Sequence, residues 1–223
     1  DLHLHLSTSG QVQIGSCRDI SVTISQSHMA IFAALTAADV EATHDLEEAR
    51  LSIWSLGEDG ALSVSHRTVP EFLTAELGDW TVKISPEVTM TIAKAREQAE
   101  KETGGILLGG YDLERRTLFV TAALSSPADS KAGRTYYERG ARGVQEAIED
   151  AERITMRHIT YIGEWHTHPE GCNSNPSKLD HELLSWVADL CQLFLMPGLL
   201  LILGDDGLRA VAQKQEWFAE VVC

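Results

Sequence analysis

The sequence contains the stretch Glu164-Trp165-His166-Thr167-His168-Pro169 and, after seven further residues, Ser177-Lys178-Leu179-Asp180. We predict a strand over residues 159–168. Residues two apart on a strand point to the same face, with Cα atoms roughly 6.5 Å apart. His166 and His168 can therefore present two imidazoles to one ion. Asp180 falls in the first turn of the next helix, and the 11 intervening residues can return it to the strand end.

These residue types suit a hydrolytic metal site. Two histidines and one carboxylate, with water in the fourth position, hold zinc in such sites, and the ion activates that water and polarises the carbonyl under attack. Each feature also has a simpler interpretation. A His-x-His pair alone is a weak signal, Ser177 and Asp180 could form only a helix cap, and Pro169 could only end the strand. Their combination over strand, loop and helix favours the metal site.

Two separated motifs carry a family resemblance. The pattern His-Thr-His-Pro, seven residues, then Ser-x-x-Asp resembles the signature of the JAMM (MPN+, or JAB) metalloproteases. A second match is the segment Glu102-Thr103-Gly104-Gly105-Ile106-Leu107-Leu108-Gly109-Gly110. The resemblance covers about Trp80 to Gln213. It implies an α/β (α+β) fold of the JAMM/cytidine-deaminase-like type, a mixed β-sheet flanked by helices, with a small N-terminal α+β segment beside it.

The resemblance also implies a role for each motif residue. His166, His168 and Asp180 correspond to the ligands of Zn²⁺. Glu102 corresponds to the base that takes a proton from the attacking water and returns it to the leaving amine. Ser177 corresponds to the hydroxyl that stabilises the oxyanion of the tetrahedral intermediate.

Glu164 is a local alternative to Glu102. It lies two residues before His166 and so faces the same way along the strand. Because it is close in sequence, its carboxylate could form a hydrogen bond to a metal ligand or could itself serve as the base. Because the family supplies its base from the upstream segment, we assign that role to Glu102.

The chain divides near Leu77-Gly78-Asp79, into a small α+β segment (residues 1–78) and the peptidase domain (residues 79–223). In the first part we predict a helix over residues 27–43 and a hairpin around Gly57-Glu58-Asp59-Gly60. In the second, residue patterns predict helices over 86–101, 140–156 and 177–193, a polar loop over 125–134, and strands at 81–84, 106–110, 117–124, 159–168, 199–203 and 208–213.

The first segment has a looser resemblance of its own. Residues 20–72 resemble the C-terminal tail of ThiF-like, E1-type adenylating domains, by a helix near residues 30–42, a strand with Trp54 and a final strand ending at Pro70. The Gly-rich nucleotide loop of such domains is absent from the sequence. Because the first residue is Asp1, we expect a longer parent protein that joins an activating enzyme to the protease. E1- and E2-like enzymes are then expected partners.

Composition limits the partners and the compartment. The chain has 223 residues, of which 43% are hydrophobic, and a net charge of -15. Such a surface repels phosphate backbones, which argues against nucleic acid and suits a partner with a basic face. The four cysteines form no C-x-x-C pair, and no apolar run reaches 18 residues, so we expect a cytoplasmic protein without a membrane span.

The expected activity is zinc-dependent cleavage after the C-terminal glycine of a ubiquitin-like protein, in precursor maturation or deconjugation in a bacterial conjugation system. Two alternatives remain. One is a JAMM hydrolase that processes a sulfur-carrier protein or a small capped substrate. The other is a non-catalytic MPN scaffold, which is disfavoured because scaffolds typically lose ligands and every motif position here is filled.

Overall fold

The computed structural model describes residues 71–214 and 217–223 in full, and five earlier strands by their backbone alone. The chain forms two compact units, one of residues 1–70 with 153–155 and the other of residues 71–152 with 156–223. The predicted division at residue 78 falls in the turn between two paired strands of the second unit, where Gly78 has a φ of +62°.

The strands of the first unit form one five-stranded sheet. Their spatial order is β3-β2-β1-β4-β5, with β1 parallel to β4 and every other pair antiparallel. They are β1 (His3–Ser7), β2 (Gln11–Gly15), β3 (Ser21–Thr23), β4 (Arg50–Leu56) and β5 (Leu62–Thr68). Pairing of β4 with β5 confirms the predicted hairpin. The helix predicted over residues 27–43 lies outside the described residues.

The second unit is built on an eight-stranded mixed sheet in the order β15-β14-β13-β12-β8-β9-β7-β6. The pairs β12–β13 and β7–β9 are parallel, and the others are antiparallel. The strands are β6 (Leu73–Leu77), β7 (Trp80–Ile84), β8 (Thr103–Asp112), β9 (Thr117–Ala123), β12 (Thr160–Thr167), β13 (Gly198–Gly204), β14 (Gly207–Lys214) and β15 (Trp217–Val222). Two short strands, β10 (Lys131–Ala132) and β11 (Tyr137–Glu138), pair separately.

Three helices accompany this sheet: α1 (Pro86–Glu97), α2 (Val144–Ile154) and α3 (Lys178–Cys191). Helix α1 packs on β8, β9 and β12, and α3 packs on β12, β13 and β14. The structure confirms the predicted mixed α+β fold, a large mixed sheet flanked by helices. Within the described residues, no helix is both long and apolar enough to cross a bilayer.

The predicted helix ends differ from the observed ones by a few residues. Helix α1 begins where Ser85 accepts a hydrogen bond from the Val88 amide, with Pro86 in its first turn. It ends at Glu97, four residues before the predicted end. Helix α2 is shorter than predicted at both ends. It starts after Gly143, which has a φ of +76°, and it ends before Met156 and Arg157, whose positive φ angles of 51° and 65° do not continue a helix.

The centre of the sheet is apolar on both faces. Strand β13 carries Leu199, Leu200, Leu201 and Ile202, all fully buried. This continuous apolar run is typical of a strand covered on both sides. Because β13 pairs in register with β12, the strand that bears the histidines is fixed from within the core.

Candidate metal centre

Strand β12 ends at the site and carries both histidines toward it. His166 pairs opposite Gly104 of β8, and the His168 amide donates to the Leu203 carbonyl at 2.9 Å, which extends the ladder one step past β12. A side chain at position 104 would meet the Trp165 carbonyl and would lie 2.9 Å from His166 Cβ. Glycine is therefore needed here for close approach, which explains one of the glycines in the upstream motif.

Asp180 reaches the histidines from the first turn of α3. A capping box fixes it: the Asp180 amide donates to Ser177 Oγ at 3.3 Å, and the Ser177 amide donates to Asp180 Oδ2 at 2.6 Å. The other oxygen, Oδ1, faces His166 Nε2 at 3.3 Å. The cap and the approach to the histidines therefore coexist in one residue.

The structure brings the three predicted side chains together. One ligand atom from each of His166, His168 and Asp180 lies within 4.8 Å of the others. The two Nε2 atoms are 3.3 Å apart, and His168 Nε2 lies 3.9 Å from Asp180 Oδ2. His168 Nδ1 is 2.5 Å from the Asn173 carbonyl oxygen, an acceptor, so Nδ1 carries the proton and Nε2 keeps its lone pair.

The donor chemistry fits a metal cation. Burial holds the pKa of His166 well below its ordinary value, despite the opposing pull of Asp180, so the imidazole is neutral at physiological pH. The neutral His166 imidazole, His168 Nε2 and a carboxylate oxygen of Asp180 therefore lie close together, an arrangement that a shared cation stabilises.

Glu102 lies just before β8 and lines the same open cavity of about 1020 Å³ as the three side chains. Its amide donates to the Gly133 carbonyl at 3.0 Å, which holds the backbone at the cavity edge. Burial raises the pKa of the Glu102 carboxyl above its ordinary value, His168 lowers it, and Asp180 raises it. A carboxyl group with a raised pKa that faces a cavity can accept and release a proton near neutral pH, as a general base requires.

Glu164 is buried and engaged by two partners. Arg139 Nε lies 2.9 and 2.8 Å from its two oxygens, and the Tyr161 hydroxyl donates to Oε1 at 3.0 Å. Tyr161 reaches it because the register of β12 shifts between residues 161 and 163, a β-bulge that changes which side chains share a face. Burial raises the pKa of Glu164, and Arg139 opposes that shift.

Arg139 belongs to a segment whose contacts the sequence did not reveal. Residues 125–143 include the predicted polar loop and contain the β10–β11 pair. The Tyr137 hydroxyl donates to the Gly104 carbonyl at 2.8 Å, and Arg139 holds Glu164. Arg139 is 25 residues from Glu164 in sequence. No local pattern marks such a pair, so it could not be predicted from the sequence.

The family of prokaryotic homologs of the JAB domain matches residues 86–218, more than half of the chain. A protein of Enterobacter hormaechei subsp. hoffmannii named CD-NTase/cGAS isopeptidase is 32% identical over 128 residues, 57% of this chain and 69% of the relative. An Escherichia coli protein of the same name is 34% identical over 127 residues, 55% of this chain and 76% of the relative.

A third relative matches a shorter part of the chain. The probable metalloprotease y4qB of Sinorhizobium fredii is 30% identical over 83 residues, 37% of this chain and 50% of that protein. The family match begins at Pro86, after β7, and contains both motifs in full, with Glu102, the two histidines and Asp180. The chain therefore belongs to the family of prokaryotic homologs of the JAB domain.

Proposed function

We propose that this chain is a zinc-dependent isopeptidase that cleaves after the C-terminal glycine of a ubiquitin-like protein, in a precursor or a conjugate. The observation that carries the proposal is the convergence of His166, His168 and Asp180 within 4.8 Å on the wall of an open cavity. Two imidazoles and one carboxylate form the ligand set of hydrolytic zinc sites. We assign these three side chains as the zinc ligands.

A zinc ion held there would act as a Lewis acid on the scissile carbonyl and on the attacking water. Glu102 accepts the proton of that water and passes it to the leaving amine. Its raised pKa brings the carboxyl nearer to neutral pH, where both transfers are efficient. Ser177 Oγ accepts the Asp180 amide through a lone pair, so its own proton remains available to the oxyanion.

The cavity suits an extended polypeptide. Strand β11 borders it through Tyr137 and Glu138, and among the described residues β11 pairs only with β10. An extended substrate tail can add to such a strand by backbone hydrogen bonds. We propose that the tail of the ubiquitin-like protein binds beside β11 and enters the site with its terminal glycine at the zinc ligands.

The names of the relatives suggest what the tail is attached to. Two of them are called CD-NTase/cGAS isopeptidase. We propose that the acceptor for this chain is a CD-NTase that carries the modifier on a lysine. Removal from such an acceptor is deconjugation, and cleavage of a precursor by the same site is maturation.

We also propose a peptidase preceded by the tail of an E1-like domain, with the boundary near residue 70 rather than at residue 78, because β6 pairs with β7 in the sheet of the second unit. The five-stranded sheet of the first unit, with its β4–β5 hairpin, supplies the β part of the proposed α+β segment. Fusion to an activating enzyme suits the activity, because activation requires the free C-terminal glycine that the peptidase exposes.

The test compares three substrates made from a ubiquitin-like protein: a fusion through its C-terminal glycine, a conjugate on a CD-NTase, and a peptide of its last residues. We expect the protein to cleave the fusion and the conjugate but to cleave the peptide little. Activity should be lost when the metal is chelated and should return when zinc is added. The Glu102→Gln variant is the inactive control. Equal rates on peptide and protein would indicate a small-substrate hydrolase, and no cleavage by zinc-loaded protein would indicate a scaffold.

A further inference from the structure

The chain between the histidines and α3 has no regular structure of its own. Residues 169–177, which we call the ligand loop, contain neither helix nor strand, yet they must set both His168 and Asp180. Backbone hydrogen bonds of helices and strands therefore cannot fix the loop, and other groups must satisfy its buried polar atoms. Those groups come from the turn between β13 and β14, residues 205–206.

Asp205 forms hydrogen bonds to the first half of the ligand loop. Its Oδ2 accepts the Gly171 amide at 3.0 Å, and its own amide donates to the Cys172 carbonyl at 2.9 Å. Its Oδ1 pairs with Arg96 of α1. Arg96 Nε in turn donates to the His168 carbonyl at 2.9 Å, so the pair reaches the backbone of a proposed zinc ligand.

Asp206 forms a hydrogen bond to the second half of the ligand loop. Its Oδ1 accepts the Ser174 amide at 2.6 Å. Arg209 adds bonds from Nε to the Ser174 carbonyl at 3.1 Å and from Nη2 to Asn175 Oδ1 at 2.9 Å. Ser174 is fully buried, so its amide depends on this acceptor.

The turn and the loop also touch through their backbones. A side chain at Gly204 would collide with the Ser174 amide nitrogen, so the two segments meet closely at this point. Asn173, the residue before Ser174, offers the carbonyl that lies 2.5 Å from His168 Nδ1. A shift of the loop at Ser174 would therefore move the acceptor that fixes the tautomer and ring orientation of His168.

We propose that Asp205 and Asp206 are positioning residues that hold the ligand loop in the conformation in which His168 and Asp180 meet. The inference rests on the proposed function in that these two side chains are taken as zinc ligands. Each carboxylate fixes one half of the loop, and each is tied to an arginine from a different element, α1 or β14. Arg96 lowers the pKa of Asp205, and the Ser174 amide lowers that of Asp206, so both are ionised at neutral pH.

The first test measures zinc affinity by competition with a chelating dye. Asp205→Ala and Asp206→Ala should each weaken zinc binding roughly 10-fold. This is the lower end of the loss in metal affinity that follows removal of a residue that orients a metal ligand. Asp206→Asn keeps an acceptor oxygen for the Ser174 amide and should retain the affinity. Asp112→Ala is the matched control, because Asp112 accepts the Glu114 and Arg115 amides in a turn at the other end of β8.

A second measurement does not need the metal. In metal-free protein, amide hydrogen exchange of residues 169–177 should become faster in both alanine variants and stay unchanged in Asp112→Ala. Zinc affinity within about twofold of wild type in both alanine variants, or an equal loss in the control, would overturn the inference. Unchanged loop exchange would overturn it as well. If the wild-type protein itself takes up no zinc, the proposed function fails, and the exchange data still decide the role of the two aspartates.

Discussion

Replacement of Arg139 by Met should destabilise the second unit, because it leaves the Glu164 carboxylate buried without its cation. The Glu164 side chain is 3% exposed and that of Arg139 is 20% exposed. Removal of one partner from a buried ion pair costs about 3–5 kcal/mol, and we take about 3 kcal/mol because Arg139 retains some contact with water. For a unit of this size, that loss corresponds to a Tm about 6–12 °C lower.

The matched variants are Glu164→Gln and the double variant Arg139→Met/Glu164→Gln. Burial already raises the pKa of Glu164, so the neutral amide should cost little by itself, and it should restore most of the Tm lost in Arg139→Met. Scanning calorimetry of the metal-free proteins measures all three. A Tm of Arg139→Met within about 2 °C of wild type, or no recovery in the double variant, would show that Arg139 does not stabilise the buried Glu164 carboxylate.

The same variants have a defined pH dependence. A carboxyl whose pKa is higher in the folded than in the unfolded protein gives stability that is complete below the unfolded pKa and is lost as the pH rises to the folded pKa. Removal of Arg139 should raise the folded pKa of Glu164 further, because Arg139 lowers it in the wild type. The Tm deficit of Arg139→Met should therefore grow as the pH rises above the folded pKa of Glu164 in the wild type, and that of the double variant should not.

Four further substitutions test the site. Glu102→Gln should keep zinc and lower kcat about 100- to 10,000-fold, since the amide cannot accept a proton; near-normal turnover would exclude Glu102 as the base. Asp180→Ala should abolish both zinc binding, measured by metal analysis, and activity; one zinc per molecule retained after dialysis would contradict the ligand assignment. Ser177→Ala should lower kcat about 100- to 1,000-fold, whereas loss of the cap alone would cost about 1 kcal/mol in thermal unfolding and leave kcat unchanged. Gly104→Ala should cost about 1–3 kcal/mol in denaturant unfolding, because the added methyl group meets the Trp165 carbonyl; unchanged stability would show that β8 can shift away from β12.

Features that depend on neighbours in sequence could be predicted from the sequence. The strand that ends at His168, the loop after it and the helix that carries Asp180 follow from a two-residue period and a cap motif, both local. The same holds for the start of α1 at Pro86 and for the β4–β5 hairpin. Helix ends were less predictable, because residues other than glycine rarely adopt a positive φ and the residue types of Met156 and Arg157 do not mark such a turn.

Other features were decided by tertiary structure alone. Arg139 meets Glu164 from 25 residues away, and Arg96 meets Asp205 across 109 residues. Such pairs have no period and no fixed spacing, because they depend on which strands become neighbours in the sheet. Local sequence patterns were enough to identify the side chains that could hold a metal and the elements on which they lie. The charged groups that hold those elements in place depend on the tertiary structure. The folded sheet and the helices packed on it set the distances between residues that are far apart in the chain.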